Sequence, residues 1–232
     1  MEYVSPAWAP NLATTHDNTH QTIQNNALRI VTGCTQTTPT YHLHYETQVL
    51  TLQDHINMRG TQFLAAISAN PDHPCHYMLV HQPTPHSIKT TPQALYTGLN
   101  TIPQHSSSHI HTHFTNIAIQ KLGPNTILGT PPPEIHYSEH ALPRADRVHL
   151  SRLRCGHHTE LATYRKRIDD SVDEVCRHCS TNTHSLTHIM THCPALTYIR
   201  VQHNISSPLD QWHSPANRLL LFRGAGLLGQ TS

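Results

Sequence analysis

The sequence predicts a mostly α-helical protein, and three observations carry that expectation. Apolar residues recur at helical spacing through the first seventy positions; a middle stretch is dominated by Pro, His, Thr and Ser; and a late block spaces metal-ligand residue types as C-x2-C-x8-H-x4-C. The expected organisation is a small helical bundle over 1–70, a flexible Pro/His/Thr-rich linker over 71–143, a small basic helical zinc-knuckle module over 144–205, and a tail over 206–232.

The elements follow in order. Ile23, Ala27, Ile30 and Val31 share one face of a first helix, with cap candidates from Thr15 to Asp17 and a stop at Gly33. Pro39 to Val49 allows a short second helix. Leu52, Ile56, Phe63, Leu64 and Ile67 mark a third, from a cap at Thr51 to the break at Asn70-Pro71. The apolar faces of this bundle need each other, or a partner domain, to be buried. Beyond Pro71, runs such as Gln82-Pro-Thr-Pro85, Ser106-Ser-Ser108 and Pro131-Pro-Pro133 read as linker, with room for a short helix from Phe114 to Leu122 before Gly123-Pro124. Val148, Leu150 and Leu153 then predict a helix reaching Cys155-Gly156, and Leu161, Tyr164 and Ile168 a shorter one. The tail holds an apolar patch, Leu219 to Phe222.

Composition narrows the function classes. Charged residues make up 12% of the chain and the formal net charge is +1, so no whole-protein field steers it to nucleic acid. The basic residues are nevertheless uneven: Arg144, Arg147, Arg152, Arg154, Arg165, Lys166, Arg167, Arg177 and Arg200 crowd around the late cysteine block. The 24 histidines accompany abundant Thr, Asn, Gln and Pro, residues encoded by A- and C-rich triplets. They are dispersed apart from His109-Ile-His111-Thr-His113, which reads as nucleotide bias and not as metal buffering. There is neither an apolar run long enough to cross a membrane nor a signal peptide at Met1, and cysteines grouped as ligands fit a reducing compartment, so an intracellular protein, nuclear or cytoplasmic, is expected.

The cysteine block is the sharpest signal. Cys176 and Cys179 can face one ion from a tight turn, and a His and Cys193 from the next element complete a tetrahedron. Four soft or borderline ligands with no open position predict a structural Zn2+. The alternative, a redox CxxC, wants a helix start after a strand, whereas Asp169 to Val175 is an acidic turn region. The third ligand is open between His184 and His188. His188 is favoured, because Ser185 to Cys193 reads as a short helix carrying both it and Cys193; His178 and His184 are then solvent-facing or secondary. Cys34, Cys75 and Cys155 read as free, buried thiols.

Taken together, several strings resemble the C-terminal part of non-LTR, jockey-like retrotransposon endonuclease–reverse transcriptase polyproteins. Tyr3-Val-Ser-Pro-Ala-Trp8 and Gln21 to Gly33 are similar to the helix that follows the polymerase palm, in the thumb region. Arg152-Leu-Arg-Cys-Gly-His157, and Cys176-x2-Cys179 with Thr187-His188-x4-Cys193-Pro194 and Arg200, are similar to the terminal zinc knuckle. Where the family often has an acidic residue before the Thr-His pair, this chain has Ser185-Leu186.

The resemblance implies RNA or single-stranded DNA as partner, and docking onto the palm of the parent element. Arg152, Arg154, Arg165, Lys166, Arg167 and Arg177 are the expected phosphate contacts. No catalytic residue is expected. A reverse transcriptase needs paired palm aspartates, and the Asp169-Asp170 pair reads as a surface turn; Glu134, Glu139 and Asp210 do not make a nuclease set. The chain is thus expected to bind without polymerising. The rival expectations are a zinc-dependent protein-interaction module and an inert remnant of a degenerate element.

Overall fold

A computed structural model describes residues 14–77, 106–121, 134–205 and 215–228. The opening string through Trp8, the runs at Pro85 and Pro131 to Pro133, Gly123-Pro124 and Asp210 lie outside the described residues. The protein is mostly α-helical, as expected, and among the described residues it holds no strand, only an isolated antiparallel bridge between Val175 and Thr183. It forms two compact units: Met1–Asn26 with Gln48–Lys121, and Ala27–Thr47 with Leu122–Ser232.

The first unit is built on two helices, α3 (Leu52–Ser68) and α4 (Ser107–Gln120), together with the early part of α1 (Thr14–Thr32). Thr51 caps α3 as predicted: its hydroxyl accepts the Asp54 N–H at 3.2 Å and donates to the Asp54 carboxylate at 2.8 Å, satisfying an orphan first-turn donor. Lys121 closes on the same carboxylate at 2.6 Å. The core is thin: Met58, Leu64, Ala65 and Ile110, flanked by Leu50 and Phe114. Helix α4 starts earlier than the sequence suggested because Ser106 caps it, accepting the His109 N–H at 3.4 Å. Its face is written with only a few apolar residues between histidines, which hid its periodicity.

The expected apolar face of α1 is not buried. Ile23, Ile30 and Val31 are exposed and Leu28 is the buried residue, because α1 turns its Leu28–Thr32 side inward. Phe63 of α3 is likewise exposed.

The second unit begins with the end of α1. Gly33 stops that helix at φ +67°, a conformation L residues rarely adopt, and a Cβ there would lie 2.6 Å from the Val148 side chain. Helix α2 (Thr40–Thr47) follows, then a short 3-10 turn (Tyr137–Ala141), α5 (Arg144–Arg154), α6 (Ala162–Lys166), the cysteine block, α7 (Thr197–Gln202) and α8 (Pro215–Gly224). Tyr45 of α2, Leu150 and Leu153 of α5, Leu186, Ile189 and Leu196 of the cysteine block, and Leu219, Leu221, Phe222 and Leu227 after it share one core. The segment written as a tail therefore contributes core residues to the same unit as the cysteine block.

A buried ionic network crosses this core. The Arg154 guanidinium grips Glu46 through Nε and Nη2, both at 2.6 Å, and Glu139 through Nη1 at 2.8 Å and Nη2 at 2.7 Å. Arg218 adds a longer contact to Glu139 at 3.6 Å. Burial raises the Glu46 pKa, but Arg154 more than offsets it and holds the carboxyl below its ordinary range.

Candidate metal centre

The cysteine block folds as a tight turn followed by a helical return. Cys176 N–H donates to the Asn182 carbonyl at 2.6 Å and His184 N–H to the Glu174 carbonyl at 2.7 Å, on either side of the Val175–Thr183 bridge. Ser180 N–H reaches back to the Cys176 carbonyl at 2.8 Å, with Ser180 itself at φ +56°. This closure brings the Cys176 and Cys179 sulfurs into one cluster.

The return departs from the expected short α-helix in an instructive way. Ser185 starts it, its hydroxyl accepting the His188 N–H at 3.2 Å. Residues His188–His192 then form a π turn that ends with Cys193 N–H donating to the His188 carbonyl at 2.8 Å. In an α-helix, residues five apart project about 140° away from each other. The wider i→i−5 turn realigns them, so His188 and Cys193 present their donor atoms to the same point. Arg200 of α7 secures the turn from inside, donating to the Ile189 carbonyl at 3.0 Å, to the Cys193 carbonyl and to the Thr197 hydroxyl.

Cys176, Cys179, His188 and Cys193 thereby offer four ligand atoms, all within 4.8 Å of one another, close enough to hold a metal ion. Cys176 Sγ lies 4.0 Å from Cys193 Sγ, and Cys179 Sγ lies 3.3 Å from His188 Nε2. Cys176 and Cys193 are fully buried and His188 nearly so, while Cys179 is partly open. The Thr181 hydroxyl donates to Cys179 Sγ at 3.2 Å and pulls that thiol down to about 5. Burial, with Cys176 beside it, pushes the Cys193 thiol up to about 11. Of the two histidines left open by the sequence, His188 is in the cluster. His184 is buried, not solvent-facing, and its Nδ1 accepts the Ala162 N–H at 3.2 Å. Burial lowers its pKa to about 4. His178 bonds the Ala225 carbonyl at 3.1 Å.

The expected phosphate contacts divide. Arg154 is withdrawn from that role: it is 2% exposed and fully engaged by two glutamates, since an inward-facing position on α5 carries it into the core. Arg152 is half-buried and donates through Nε to the Gly33 carbonyl at 2.7 Å. Arg165 is exposed; Lys166 reaches the Asp170 carbonyl at 2.8 Å, and Arg167 the His157 ring at 3.0 Å. Arg177 is exposed at the turn between Glu160, 3.4 Å away, and the Gly226 carbonyl at 3.0 Å. Asp169-Asp170 is an exposed turn, with Asp169 accepting the Ser171 N–H and hydroxyl.

Sequence reasoning counted Arg200 among the basic residues and within the knuckle-like string, and missed its inward role. It also took Cys75 as buried; Cys75 is exposed, while Cys34 is buried and Cys155 half-buried.

By fold and site this is a mostly helical protein carrying a closed Cys3His cluster able to hold a metal ion. No known protein family, curated protein or solved structure matches the chain. Among the described residues, no helix is long and apolar enough to cross a membrane.

Proposed function

We propose that this chain is the C-terminal part of a non-LTR retrotransposon reverse-transcriptase protein, that its Cys3His cluster holds a structural Zn2+, and that the unit around it binds RNA or single-stranded DNA without catalysing polymerisation. The observation that carries the reading is the convergence of Cys176, Cys179, His188 and Cys193 on one point. With Zn–S about 2.3 Å and Zn–N about 2.0–2.1 Å, a tetrahedral site has S···S edges of about 3.8 Å and S···N edges of about 3.6 Å. The observed 4.0 and 3.3 Å fit that cage, and three thiolates with one imidazole are the donor set of structural zinc. A closed first shell leaves no position for substrate water, which favours a folding role over a catalytic one.

Nucleic-acid binding rests on Arg165, Lys166, Arg167 and Arg177, which lie on the solvent side of the unit or at its edge. Four phosphate contacts to a single strand give a salt slope of about −3, so affinity falls tens of fold between about 50 and about 200 mM salt. Few aromatics surround the cluster, so binding is expected to discriminate poorly between sequences.

The test is the zinc content of the purified full chain, joined to an RNA titration at those two salt concentrations. One zinc lost in Cys179→Ser and His188→Ala but retained in His184→Ala, together with salt-dependent binding, is the expected result. Zinc without binding would favour the second reading, a zinc-dependent protein-interaction module. That reading draws on exposed apolar side chains of the same unit, Ile168, Val175, Tyr198 and Val201. Absence of zinc would leave an inert remnant.

A further inference from the structure

A second group of ligand residues lies in the same unit, formed by residues far apart in the chain. Cys34 follows Gly33, the left-handed residue that ends α1. His42 lies in the first turn of α2, and Cys155 is the C-cap of α5. Each offers one ligand atom, and these atoms all lie within 4.8 Å of one another. Cys34 and His42 are buried, and Cys155 is half-buried. We propose that Cys34, His42 and Cys155 form a second metal site that takes a soft d10 cation, Zn2+ or Cu+.

Neighbouring groups hold each of the three residues in place. Cys34 Sγ has the Ser151 hydroxyl at 3.1 Å, and the Cys34 N–H donates to Thr32 Oγ1 at 3.3 Å, so the loop carrying the sulfur is held in place. Cys155 Sγ lies 3.3 Å from the Arg152 carbonyl. The His42 ring is anchored from outside the group: its Nε2 lies 3.1 Å from the Ser151 carbonyl and 3.3 Å from Glu46 Oε1. Metal-bound imidazoles are held by such carbonyl and carboxylate partners. Two thiols and an imidazole without a carboxylate select thiophilic ions over Mg2+ or Ca2+. Three protein ligands satisfy trigonal Cu+, or leave one position of a Zn2+ tetrahedron for a small exogenous ligand. Binding releases the two thiol protons to solvent and changes no oxidation state.

The consequence is mechanical. Residues 27–47 hold a small apolar cluster of their own, Leu28, Cys34 and Leu43, and meet α5 through polar contacts such as Arg152 to the Gly33 carbonyl and Cys34 Sγ to the Ser151 hydroxyl. An ion held by Cys34, His42 and Cys155 pins that segment to the end of α5, independently of the Cys3His cluster.

The test is the metal stoichiometry of the full chain purified under reductant and exposed to Zn2+ or to Cu+, read by native mass spectrometry, with alkylation of each cysteine followed on the same sample. Two bound ions are expected, falling to one in the Cys34→Ala/Cys155→Ala variant, to one in Cys179→Ser, and staying at two in Cys75→Ser. In the wild-type chain Cys34 and Cys155 should resist alkylation until a chelator is added, while exposed Cys75 reacts at once; this reading needs no variant to fold. A single ion that is lost in Cys34→Ala/Cys155→Ala but kept in Cys179→Ser would leave this site standing and strike only at the first. One ion in the wild-type chain with either metal that is lost in Cys179→Ser and kept in Cys34→Ala/Cys155→Ala, or Cys34 and Cys155 reacting as fast before chelation as after it, would overturn the proposal. So would a Cys34–Cys155 disulfide that persists under reductant.

Discussion

The two units bury different things. Among the described residues the first closes over a cluster of Met58, Leu64, Ala65 and Ile110, with Ile56 and Ile67 also buried and Asp54 and Thr61 as its buried polar residues. The second buries a larger apolar core together with Glu139, Arg154, His157, His158, His184, His188, Arg200 and Arg218. Burying polar groups is costly unless each finds its partner, so the second unit depends on its buried networks being complete. The first depends on a few packed atoms and on helix caps. One unit is therefore brittle toward loss of a partner and the other toward loss of volume.

Metal removal should separate them most widely. If the Cys3His cluster holds zinc, a chelator takes away a contribution of about 10–16 kcal/mol as judged from zinc-finger peptides. Hydrogen exchange should then show amides from Glu174 to Arg200 losing protection while α3 and α4 keep theirs; equal loss in both units would remove the contrast. Arg154→Met comes next. It strands Glu46 and Glu139 in the core and should cost about 3–5 kcal/mol, read as a lowered denaturant midpoint of the second unit. A neutral result would mean that the ionic network is not what holds α2 and α5 together.

In the first unit, Ile110→Ala empties the middle of the α3–α4 contact and should cost about 2–4 kcal/mol. The pH response should sharpen the contrast further. Burial holds the His158 pKa down to about 4 against its ordinary 6.5. The unfolded chain therefore takes up the proton first. Its contribution is complete above about 6.5 and is lost as pH falls towards about 4, on the order of 2 kcal/mol. His158→Gln should flatten the difference in stability between about pH 7 and about pH 5, compared at matched metal content; an unchanged slope would place the titration elsewhere. Smallest of all, Thr51→Ala should cost about 1 kcal/mol by uncapping α3, detectable as faster exchange of the Asp54 amide.

Much of the local structure was legible in the chain. The Thr51 cap, the Gly33 stop, the helix ending at Cys155-Gly156 and the short helix between Pro39 and Val49 were all readable, because each depends on residues within one or two turns. The spacing of Cys176, Cys179 and Cys193 pointed to a shared site for the same reason. Burial was less legible. Ile23, Ile30 and Val31 share a helical face yet stay exposed, since periodicity marks a face and does not say what covers it. Arg154, counted as a surface cation, is buried because its partners Glu46 and Glu139 come from other elements.

By itself, then, the sequence determined a mostly helical chain, its local starts and stops, and the ligand types of the late cysteine block. The sequence favoured His188 over His184 as the partner of the three cysteines, and the tertiary structure decided between them. The choice turns on a π turn and on an Ala162 N–H that occupies His184, neither of which has a composition signal. It alone decided that Cys34, His42 and Cys155 meet, because their proximity is set by how α1, α2 and α5 pack and not by spacing along the chain. Backbone hydrogen bonding acts over a few residues and leaves its trace in local sequence, whereas packing joins residues more than a hundred positions apart, as in the Cys34–Ser151 contact.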